Sequence, residues 1–398
     1  MTNQSKSSIG VFFGGKSPEH DVSIITGQLI ISTLKKIGYP VVPVYIGPKG
    51  EFYLDEKLDN LKFFSQTLDN REQQLKKADA YYLDLEKSRQ VLIFKKKGLG
   101  SKHIQIDLAF VAFHGEYGED GTIQGLFEMF NLPYVGCEVT ASAIAIDKIT
   151  TKLLYQGMNI PTTDFYFFNK TEWQQDSQEV LAQAKKLTWP LIVKPARLGS
   201  SIGMQKANNS QELENACQVA LHYSPRVLVE EAVENLADLT IALLGNQKPK
   251  TSLIQESVFT DELFSYEEKY LKDGGAQTGA ATKNLIIPAN IDQQTTQKIK
   301  KQAKQIYKAI DCCGTARVDF LFNRKTKQLF ANEINPLPGT LYHHLWKDSG
   351  LSIKQVVKTL IKLAQQRHEL KNKFTRVFQS EILNQAKSIK LNLDQDKK

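Results

Sequence analysis

The chain has 398 residues, of which 41% are hydrophobic and 24% are charged, and its formal net charge is +8. This length predicts two or three domains, and the composition is that of a soluble protein with enough apolar residues for buried cores. No apolar run is long enough to span a bilayer and no secretory signal is apparent, so we expect a cytoplasmic protein.

The N-terminal region begins with a strand–helix–strand pattern. Residues 9–13 are an apolar run, residues 22–36 have helical periodicity with Asp21 as the predicted N-cap, and residues 41–46 are a second apolar run. The pattern predicts a βαβ unit in a parallel sheet, with ligand-binding loops at the strand ends.

The central region contains a candidate phosphate-binding loop. A predicted strand over residues 190–194 precedes the small-residue loop 197–203, and a predicted helix follows over residues 210–223. Small residues such as Ser200 and Ser201 allow the backbone to approach phosphates, while Lys194 adds a positive charge. The loop alone is weak evidence, since many turns have this composition.

Two further features near this loop are candidates for nucleotide binding. Lys148 is a second candidate phosphate ligand, although a surface helix lysine is the simpler interpretation. Glu230 and Glu231 end a predicted strand, where carboxylates can meet an adenine amino group and ribose hydroxyls. The sequence has no GxxxxGK[ST] motif, which excludes a P-loop protein.

A polar turn centred near Thr326 predicts a β-hairpin in which paired residue numbers sum to 652. This register places Asp319 opposite Glu333 and Arg317 opposite Asn335, all on one face because side chains alternate along a strand. The other face is predicted to be a core face. It carries Val318, Phe320, Phe322, Phe330 and Ile334, with Asn332 as its one polar residue.

Two opposed carboxylates repel each other unless a cation lies between them. Oxygen ligands at this spacing suit Mg²⁺, which binds one or two carboxylates together with substrate phosphates. Asn335 can add a neutral oxygen, and Arg317 is placed to stabilise a developing negative charge. The alternative is a charged, solvent-facing hairpin in which Arg317 neutralises the acids.

Six ordered motifs over residues 9–365 resemble those of the D-alanine–D-alanine ligase family, within the ATP-grasp fold. They lie at residues 14–23 (GGKSPEHDVS), 114–125 (HGEYGEDGTIQG), 194–203 (KPARLGSSIG), 266–270 (YEEKY), 317–319 (RVD) and 332–335 (NEIN). The resemblance implies ATP-dependent joining of two D-alanines through an acyl phosphate for peptidoglycan and cell-wall synthesis, which maintains cell shape.

The resemblance also implies roles for individual residues. The catalytic candidates are Glu19 for the first substrate's ammonium group, Ser200 and Tyr270 hydrogen-bonded with it, and Arg317 and the Gly339 N–H for the tetrahedral intermediate. The nucleotide-binding candidates are Lys148, Lys194, Lys269 and Ser201 for phosphates and Glu230, Glu231 and Asp238 for adenosine. The candidate ligands for two Mg²⁺ ions, with Mn²⁺ as an alternative, are Asp319, Glu333 and Asn335. The substrate-pocket candidates are His114, Thr340, His343 and His344.

The expected fold is α/β, becoming α+β in the C-terminal part. Residues 1–136 are predicted to form an N-terminal α/β substrate-binding domain, residues 137–227 and 228–370 the two lobes of the ATP-grasp fold, and residues 371–398 a polar helical or frayed tail. Residues 266–283 are expected to form a mobile loop that closes over the site. The expected partners are ATP and D-alanine, in a homodimer without nucleic-acid or membrane partners.

One segment departs from the family pattern. Where the family most often has TxPGxTxxSxxP after the metal-binding asparagine, residues 336–346 read PLPGTLYHHLW, and the serine that binds the second substrate's carboxylate falls on His344. This leaves open an acceptor other than D-alanine, namely another amino acid, a hydroxy acid or a peptide. The resemblance makes a hydroxy acid less favoured because Tyr270 stands where D-lactate-using ligases have histidine. A catalytically inactive nucleotide-binding module is the alternative from another class, and a sheet-based nucleic-acid binder is more distant.

Overall fold

The computed structural model describes residues 7–66, 68–98, 102–258, 285–375, 377 and 380. The helices are α1 (His20–Lys36), α2 (Leu61–Phe64), α3 (Leu68–Lys77), α4 (Thr122–Met129), α5 (Val139–Ile146), α6 (Lys148–Gly157), α7 (Lys170–Gln175), α8 (Ser177–Ala184), α9 (Ser210–Tyr223), α10 (Gln293–Ala309), α11 (His343–Asp348) and α12 (Ile353–Lys371). Short 3₁₀ turns occur at Glu56–Asp59 and Gly339–Tyr342.

Seventeen strands form three sheets. The strands are β1 (Ile9–Gly14), β2 (Val41–Ile46), β3 (Phe52–Tyr53), β4 (Ala80–Leu83), β5 (Leu92–Lys96), β6 (His103–Ile106), β7 (Leu108–Val111), β8 (Tyr134–Val135), β9 (Phe165–Asn169), β10 (Leu191–Pro195), β11 (Gln205–Ala207), β12 (Arg226–Glu231), β13 (Leu236–Gly245), β14 (Lys250–Ser257), β15 (Leu285–Ile286), β16 (Gly314–Asn323) and β17 (Leu329–Asn335). These counts cover only the residues named above.

The first sheet confirms the predicted βαβ unit. Its order is β6-β5-β4-β3-β2-β1-β7-β8, and β1 runs parallel to both β2 and β7. The predicted N-cap was wrong, because α1 begins at His20 with Glu19 at the cap position and Asp21 in the first turn. The reason is local, since the Glu19 carbonyl already accepts the first helical hydrogen bond, from Ser23 N at 3.0 Å.

The second and third sheets are antiparallel and face each other across the central cleft. The second has the order β11-β10-β12-β9, and the third has the order β15-β14-β13-β16-β17. The α/β fold with an antiparallel C-terminal part is therefore confirmed.

The β16–β17 hairpin has the predicted register at its functional end, with Arg317 opposite Asn335 and Asp319 opposite Glu333. Beyond this point a bulge shifts the pairing, so that Phe320 pairs with Ala331. The extra residue is Asn332, which lines the cleft instead of the core. The predicted core positions of Asn332 and Phe330 were therefore wrong, and Leu329 and Ala331 are buried in their place.

The C-terminal helices pack onto the first sheet. Leu345, Trp346 and Val357 belong to the same buried cluster as Val11 and Phe110. Salt bridges strengthen the junction, since Lys371 of α12 lies 2.5 Å from Glu128 and 2.9 Å from Glu138. The first sheet and the helices α11 and α12 thus share one core, while the predicted domain boundaries remain predictions.

Candidate active site

A cleft of about 840 Å³ lies between the second and third sheets. It is lined by most of the residues predicted to bind nucleotide or metal, namely Lys148, Lys194, Ser201, Glu230, Glu231, Asp238, Asp319 and Glu333, and by the catalytic candidates Ser200 and Arg317. Residues more than 180 positions apart in the sequence thus lie together, and each wall combines basic and acidic side chains.

The small-residue loop has an unusual backbone conformation where it lines the cleft. Ser200 and Ser201 have φ values of +55° and +58°, a left-handed conformation that non-glycine residues adopt infrequently. The loop is also tied to Lys148, whose Nζ donates to the Leu198 carbonyl at 2.5 Å. Lys148 is the first residue of α6 and lies 3.7 Å from Glu333, so it faces the predicted metal ligands.

Glu19 connects the first sheet to this loop. Ser200 Oγ donates a hydrogen bond to Glu19 Oε1, as the resemblance implied. The approach is close on both sides, because a Cβ at Gly199 or at Gly115 would lie 2.7 Å or 3.0 Å from Glu19 Oε2. A side chain at either glycine would therefore crowd this carboxylate.

Glu230 is 1% exposed and lies between two lysines. Lys152 Nζ contacts its Oε2 at 2.6 Å, Lys194 Nζ contacts its Oε1, and Thr163 Oγ1 donates to it at 2.8 Å. Burial is the largest single influence and opposes ionisation, yet the two ammonium groups outweigh it and hold the Glu230 pKa well below its usual range. Glu230 is thus an ionised anchor for Lys194.

The other two adenosine candidates lie nearby. Glu231 Oε1 accepts a hydrogen bond from Thr188 N at 2.7 Å, and Glu231 lines the cleft together with Asp238 of β13. Their roles toward adenosine remain predictions.

The opposite wall contains the acidic hairpin. Arg317 Nε and Nη2 lie 2.9 Å and 2.7 Å from Asp319 Oδ2, and Nη2 lies 3.3 Å from Glu333 Oε1. Thr240 Oγ1 donates to Asp319 Oδ1 at 2.8 Å. Burial raises the pKa of Asp319, and Glu333 raises it further, while Arg317 and Thr240 act in the opposite direction. Two carboxylates, one guanidinium and one hydroxyl therefore form a single polar cluster.

These residues fit a hard divalent cation bound together with a nucleotide. Asp319 and Glu333 present carboxylates on one face, and the Asn335 side-chain oxygen is oriented by a hydrogen bond from Leu337 N at 3.0 Å. In the part of the chain that the structure describes, no group of three or more His, Cys, Asp or Glu residues can hold a metal. Two carboxylates with phosphate oxygens are the coordination that Mg²⁺ favours.

The turn that follows the hairpin contains the predicted substrate residues. Gly339 begins it, and Thr340 is 5% exposed with its N–H donating to Thr26 Oγ1 at 3.0 Å. His114 enters from the first sheet and lies 3.5 Å from Glu119.

His343 and His344 differ in their surroundings. His344 Nε2 pairs with Gln255 Oε1 at 2.7 Å, and burial followed by His343 lowers the His344 pKa to about 4. His344 is therefore neutral at neutral pH. His343 Nδ1 pairs with the Thr340 carbonyl at 3.2 Å. Whether either ring binds a carboxylate remains a prediction.

Sequence reasoning missed three residues that the structure places at the site. Lys152 is 1% exposed beside Glu230, Thr26 contacts the Thr340 turn, and Tyr342 stacks over the Arg317 guanidinium at 5.3 Å. The available signal was helical spacing, because Lys152 follows Lys148 by one turn. The predicted roles of Tyr270, Lys269 and the loop 266–283 lie outside the described residues.

A lysine-bearing small-residue loop facing an acidic hairpin across two antiparallel sheets defines the ATP-grasp class of carboxylate–amine ligases. Residues 8–137 match the model of the D-ala D-ala ligase N-terminus, and residues 154–362 match that of the C-terminus. The chain therefore belongs to the D-alanine–D-alanine ligase family, whose members depend on ATP.

Individual relatives match over nearly their whole length. A D-alanine–D-alanine ligase of Thermosipho melanesiensis is 38% identical, over 90% of this chain and 94% of its own. The structure of the D-alanine–D-alanine ligase from Coxiella burnetii superposes with a TM-score of 0.75 at 27% identity, covering 93% of this chain and 97% of that one. The D-Ala:D-Ser ligase VanG from Enterococcus faecalis gives 0.73 at 30% identity, covering 90% and 99%.

None of the helices in the described ranges combines the length and the apolar character needed to cross a membrane.

Proposed function

We propose that this protein is an ADP-forming ligase that joins two D-alanines into D-alanyl-D-alanine for peptidoglycan synthesis. The observation that carries the proposal is the cleft itself. Lys148 and Lys194 face the Arg317–Asp319–Glu333 cluster, and the Glu19–Ser200 pair lies at the same loop. Phosphate-binding, acyl-activating and amino-acid-binding groups are thus adjacent, and the family is that of D-alanine–D-alanine ligases.

The first half-reaction activates a carboxylate. The first D-alanine binds with its ammonium group at Glu19, and one of its carboxylate oxygens attacks the γ-phosphorus of ATP. A P–O bond to the acyl oxygen forms while the bond to ADP breaks. Lys148 and Lys194 offset the phosphate charge, and positioning supplies most of the acceleration.

The second half-reaction forms the peptide bond. The deprotonated amine of the second D-alanine attacks the acyl carbon, giving a tetrahedral intermediate whose oxyanion is stabilised by Arg317 and the Gly339 N–H. Collapse expels inorganic phosphate and the nitrogen loses its proton. Tyr342 and Asp319 hold the Arg317 guanidinium on two sides, so its position is fixed before the charge develops.

Asp319, Glu333 and Asn335 would hold Mg²⁺, with Mn²⁺ as the alternative. A divalent ion bound there neutralises phosphate charge and completes the charge balance of the acidic hairpin.

A different acceptor is the second candidate function. Its support is the segment Thr340–His344, which departs from the family pattern, and the similarity to a ligase named for D-serine. Because His344 already pairs with Gln255, His343 or Thr340 is the better candidate for binding the acceptor's carboxylate.

The proposal includes a homodimer located in the cytoplasm. The small-molecule chemistry of the cleft supports the location only, since ATP and amino acids are cytoplasmic metabolites, and the homodimer stays a prediction. Sedimentation analysis of the purified protein tests the oligomeric state.

The proposed activity is tested by incubating the protein with ATP and Mg²⁺ and measuring both phosphate release and dipeptide formation. The amino-acid panel contains D-alanine alone, D-alanine with D-serine, D-alanine with D-lactate, and L-alanine. We expect D-alanine alone to give stoichiometric phosphate and D-alanyl-D-alanine. Product only in the mixed D-serine or D-lactate reactions would favour the second candidate, and phosphate release without any dipeptide or ester would overturn both.

A further inference from the structure

A buried chain of polar contacts connects the first sheet to the turn 339–342, and its two contacts at Thr26 are hydrogen bonds. Glu119 Oε1 lies 3.5 Å from His114 Nδ1, His114 Nε2 lies 2.9 Å from Thr26 Oγ1, and Thr340 N donates to the same Thr26 oxygen at 3.0 Å. All four residues are no more than 6% exposed. Water cannot replace these contacts easily, so each depends on its protein partner.

Thr26 can accept a hydrogen bond from the Thr340 N–H in either tautomer of His114. When Glu119 is ionised, His114 presents Nδ1–H to it and Nε2 accepts the Thr26 hydroxyl proton. In the other tautomer, Nε2–H donates to Thr26 Oγ1. In both cases the Thr26 oxygen keeps a lone pair for the Thr340 N–H. Glu119 is itself fixed, because its Oε2 accepts a hydrogen bond from Gly115 N at 2.9 Å.

The turn at the end of this chain is strained. Thr340, Leu341 and Tyr342 have φ values of +49°, +56° and +49°, three consecutive non-glycine residues in the left-handed region. Such a conformation persists only when surrounding contacts determine it, and it is concentrated at functional sites. The Thr26–Thr340 hydrogen bond is one such contact, and the hydrogen bond from Leu341 N to Pro338 O at 2.9 Å is another.

The strained turn positions two groups that are assigned to the reaction, the Gly339 N–H and the Arg317 guanidinium. It begins at Gly339, whose N–H is assigned to the oxyanion, and it ends at Tyr342, whose ring lies 5.3 Å from the Arg317 guanidinium carbon. A turn that relaxed would displace both donors from the reacting carbonyl, and small displacements of this kind reduce kcat.

We propose that Thr26, supported by His114 and Glu119, is a positioning residue that holds the 339–342 turn in its reactive conformation. The proposal rests on the proposed ligase function. The alternative is that Thr26 only fills space on the buried face of α1, in which case a side chain of the same shape without a hydroxyl replaces it without catalytic loss.

Three variants separate these alternatives. Thr26→Val keeps the shape and removes the hydroxyl, and Thr26→Ser keeps the hydroxyl. Thr33→Val is the matched control, because Thr33 lies on the same helix, is 4% exposed, and donates its hydroxyl to Leu29 O within that helix at 2.7 Å. Each protein is assayed for kcat, for KM of ATP and D-alanine, and for the number of ADP molecules bound per chain, which counts folded sites.

We expect Thr26→Val to lower kcat per ADP-binding site roughly tenfold or more, the usual loss for one buried hydrogen bond left unmade. The KM of ATP should stay near the wild-type value, Thr26→Ser should restore most of kcat, and Thr33→Val should match wild type. Equal kcat for Thr26→Val and Thr33→Val would overturn the proposal, as would equal losses in Thr26→Val and Thr26→Ser.

The wild-type protein distinguishes failure of the ligase function from failure of the positioning role of Thr26. If the wild-type protein makes no dipeptide, the ligase function itself fails. If wild type turns over and Thr26→Val turns over equally well, only the positioning role fails. Should Thr26→Val bind no ADP, Thr26→Cys replaces it under the same criteria, because a thiol keeps the volume and is a weak hydrogen-bonding group.

Discussion

Two acidic clusters line the cleft, and their carboxylates are balanced in opposite ways. Glu230 has two ammonium groups and one hydroxyl around a single carboxylate, and its pKa is held low. Asp319 and Glu333 share one guanidinium within 3.3 Å, and burial and their proximity raise the Asp319 pKa. The nearest further cation at this wall among the described residues is Lys148, at 3.7 Å from Glu333.

The opposite pKa shifts of Glu230 and Asp319 show that burial alone does not determine the role of a carboxylate. The Glu230 cluster is complete with protein groups, so its role is to fix Lys194 beside the phosphate loop. Asp319 and Glu333 instead share Arg317, with Lys148 3.7 Å from Glu333, and in the proposed function their carboxylates would also hold a cation that arrives with the nucleotide. We therefore expect substitutions at the Glu230 wall to reduce mainly stability and substitutions at the Asp319–Glu333 wall to reduce mainly catalysis.

The largest expected effect is the loss of activity when the Asp319–Glu333 cluster is changed. Glu333→Gln should lower ADP formation roughly 10³-fold or more, because several kcal/mol of charge stabilisation are lost with the ion. The melting temperature should change little, since Glu333 is partly exposed. Glu212→Gln, at an exposed position of α9, is the control for loss of a carboxylate. Full turnover of the Glu333 variant at saturating Mg²⁺ would remove the metal assignment.

Arg317→Ala removes the guanidinium that contacts both Asp319 and Glu333. We expect kcat to fall by about 10²–10³, the usual loss for one oxyanion donor, with little change in ATP binding. Nucleotide affinity is measured separately by calorimetry. If affinity collapses together with kcat, Arg317 binds phosphate in the ground state and the intermediate is stabilised elsewhere.

Glu230→Gln should instead reduce stability, by about 3–5 kcal/mol, because it leaves two buried lysines without their partner. Asp319→Asn removes one of two like charges and should cost less. Thermal unfolding of both variants near pH 7 measures the contrast. Equal losses would mean that the two clusters are not balanced differently.

The pH dependence of that loss has a definite sign. The folded-state pKa of Glu230 is lowered, so its contribution is present above the unfolded value of about 4.3 and is lost progressively as the pH falls toward the folded-state pKa. The gap in melting temperature between wild type and Glu230→Gln should therefore narrow in acid. A gap that stays constant between pH ~7 and pH ~3 would contradict the ionised-anchor role.

The smallest effect concerns the two histidines after the strained turn. With a pKa of about 4, His344 does not change charge near neutral pH, so His344→Gln should leave the pH profile of acceptor KM unaltered. If His343 binds the acceptor's carboxylate, acceptor KM should be higher in His343→Gln than in wild type across the pH range. Coincident curves for wild type and both variants would leave Thr340 or backbone N–H groups as the carboxylate ligands.

Local pattern predicted much of this site. The hairpin register followed from the polar turn near Thr326, because alternation fixes which residues share a face. The bulge at Asn332 was not predictable, since one inserted residue leaves the hydrophobic pattern nearly unchanged while reversing the faces beyond it. It also carries Asn332 to within 3.4 Å of Lys194, on the opposite wall of the cleft.

Contacts between residues distant in the sequence were the other feature that could not be predicted. Lys152 looks like a surface helix lysine until β12 brings Glu230 beside it, and Thr26 looks like part of an apolar helix face until the turn at Thr340 reaches it across 314 positions. Period and propensity describe a residue's own element, whereas the charge balance of a buried group depends on which other elements pack against it.

The charge difference between the two walls is tested most directly by metal binding itself. Free Mn²⁺ is measured by electron paramagnetic resonance while the ion is titrated into protein with ADP, and binding to ADP alone is subtracted. We predict that wild type and Glu212→Gln bind Mn²⁺ and that Asp319→Asn and Glu333→Gln lose it, while ADP binding without metal is retained. Undiminished Mn²⁺ binding by both of these variants would contradict the assignment of the acidic hairpin as the cation site.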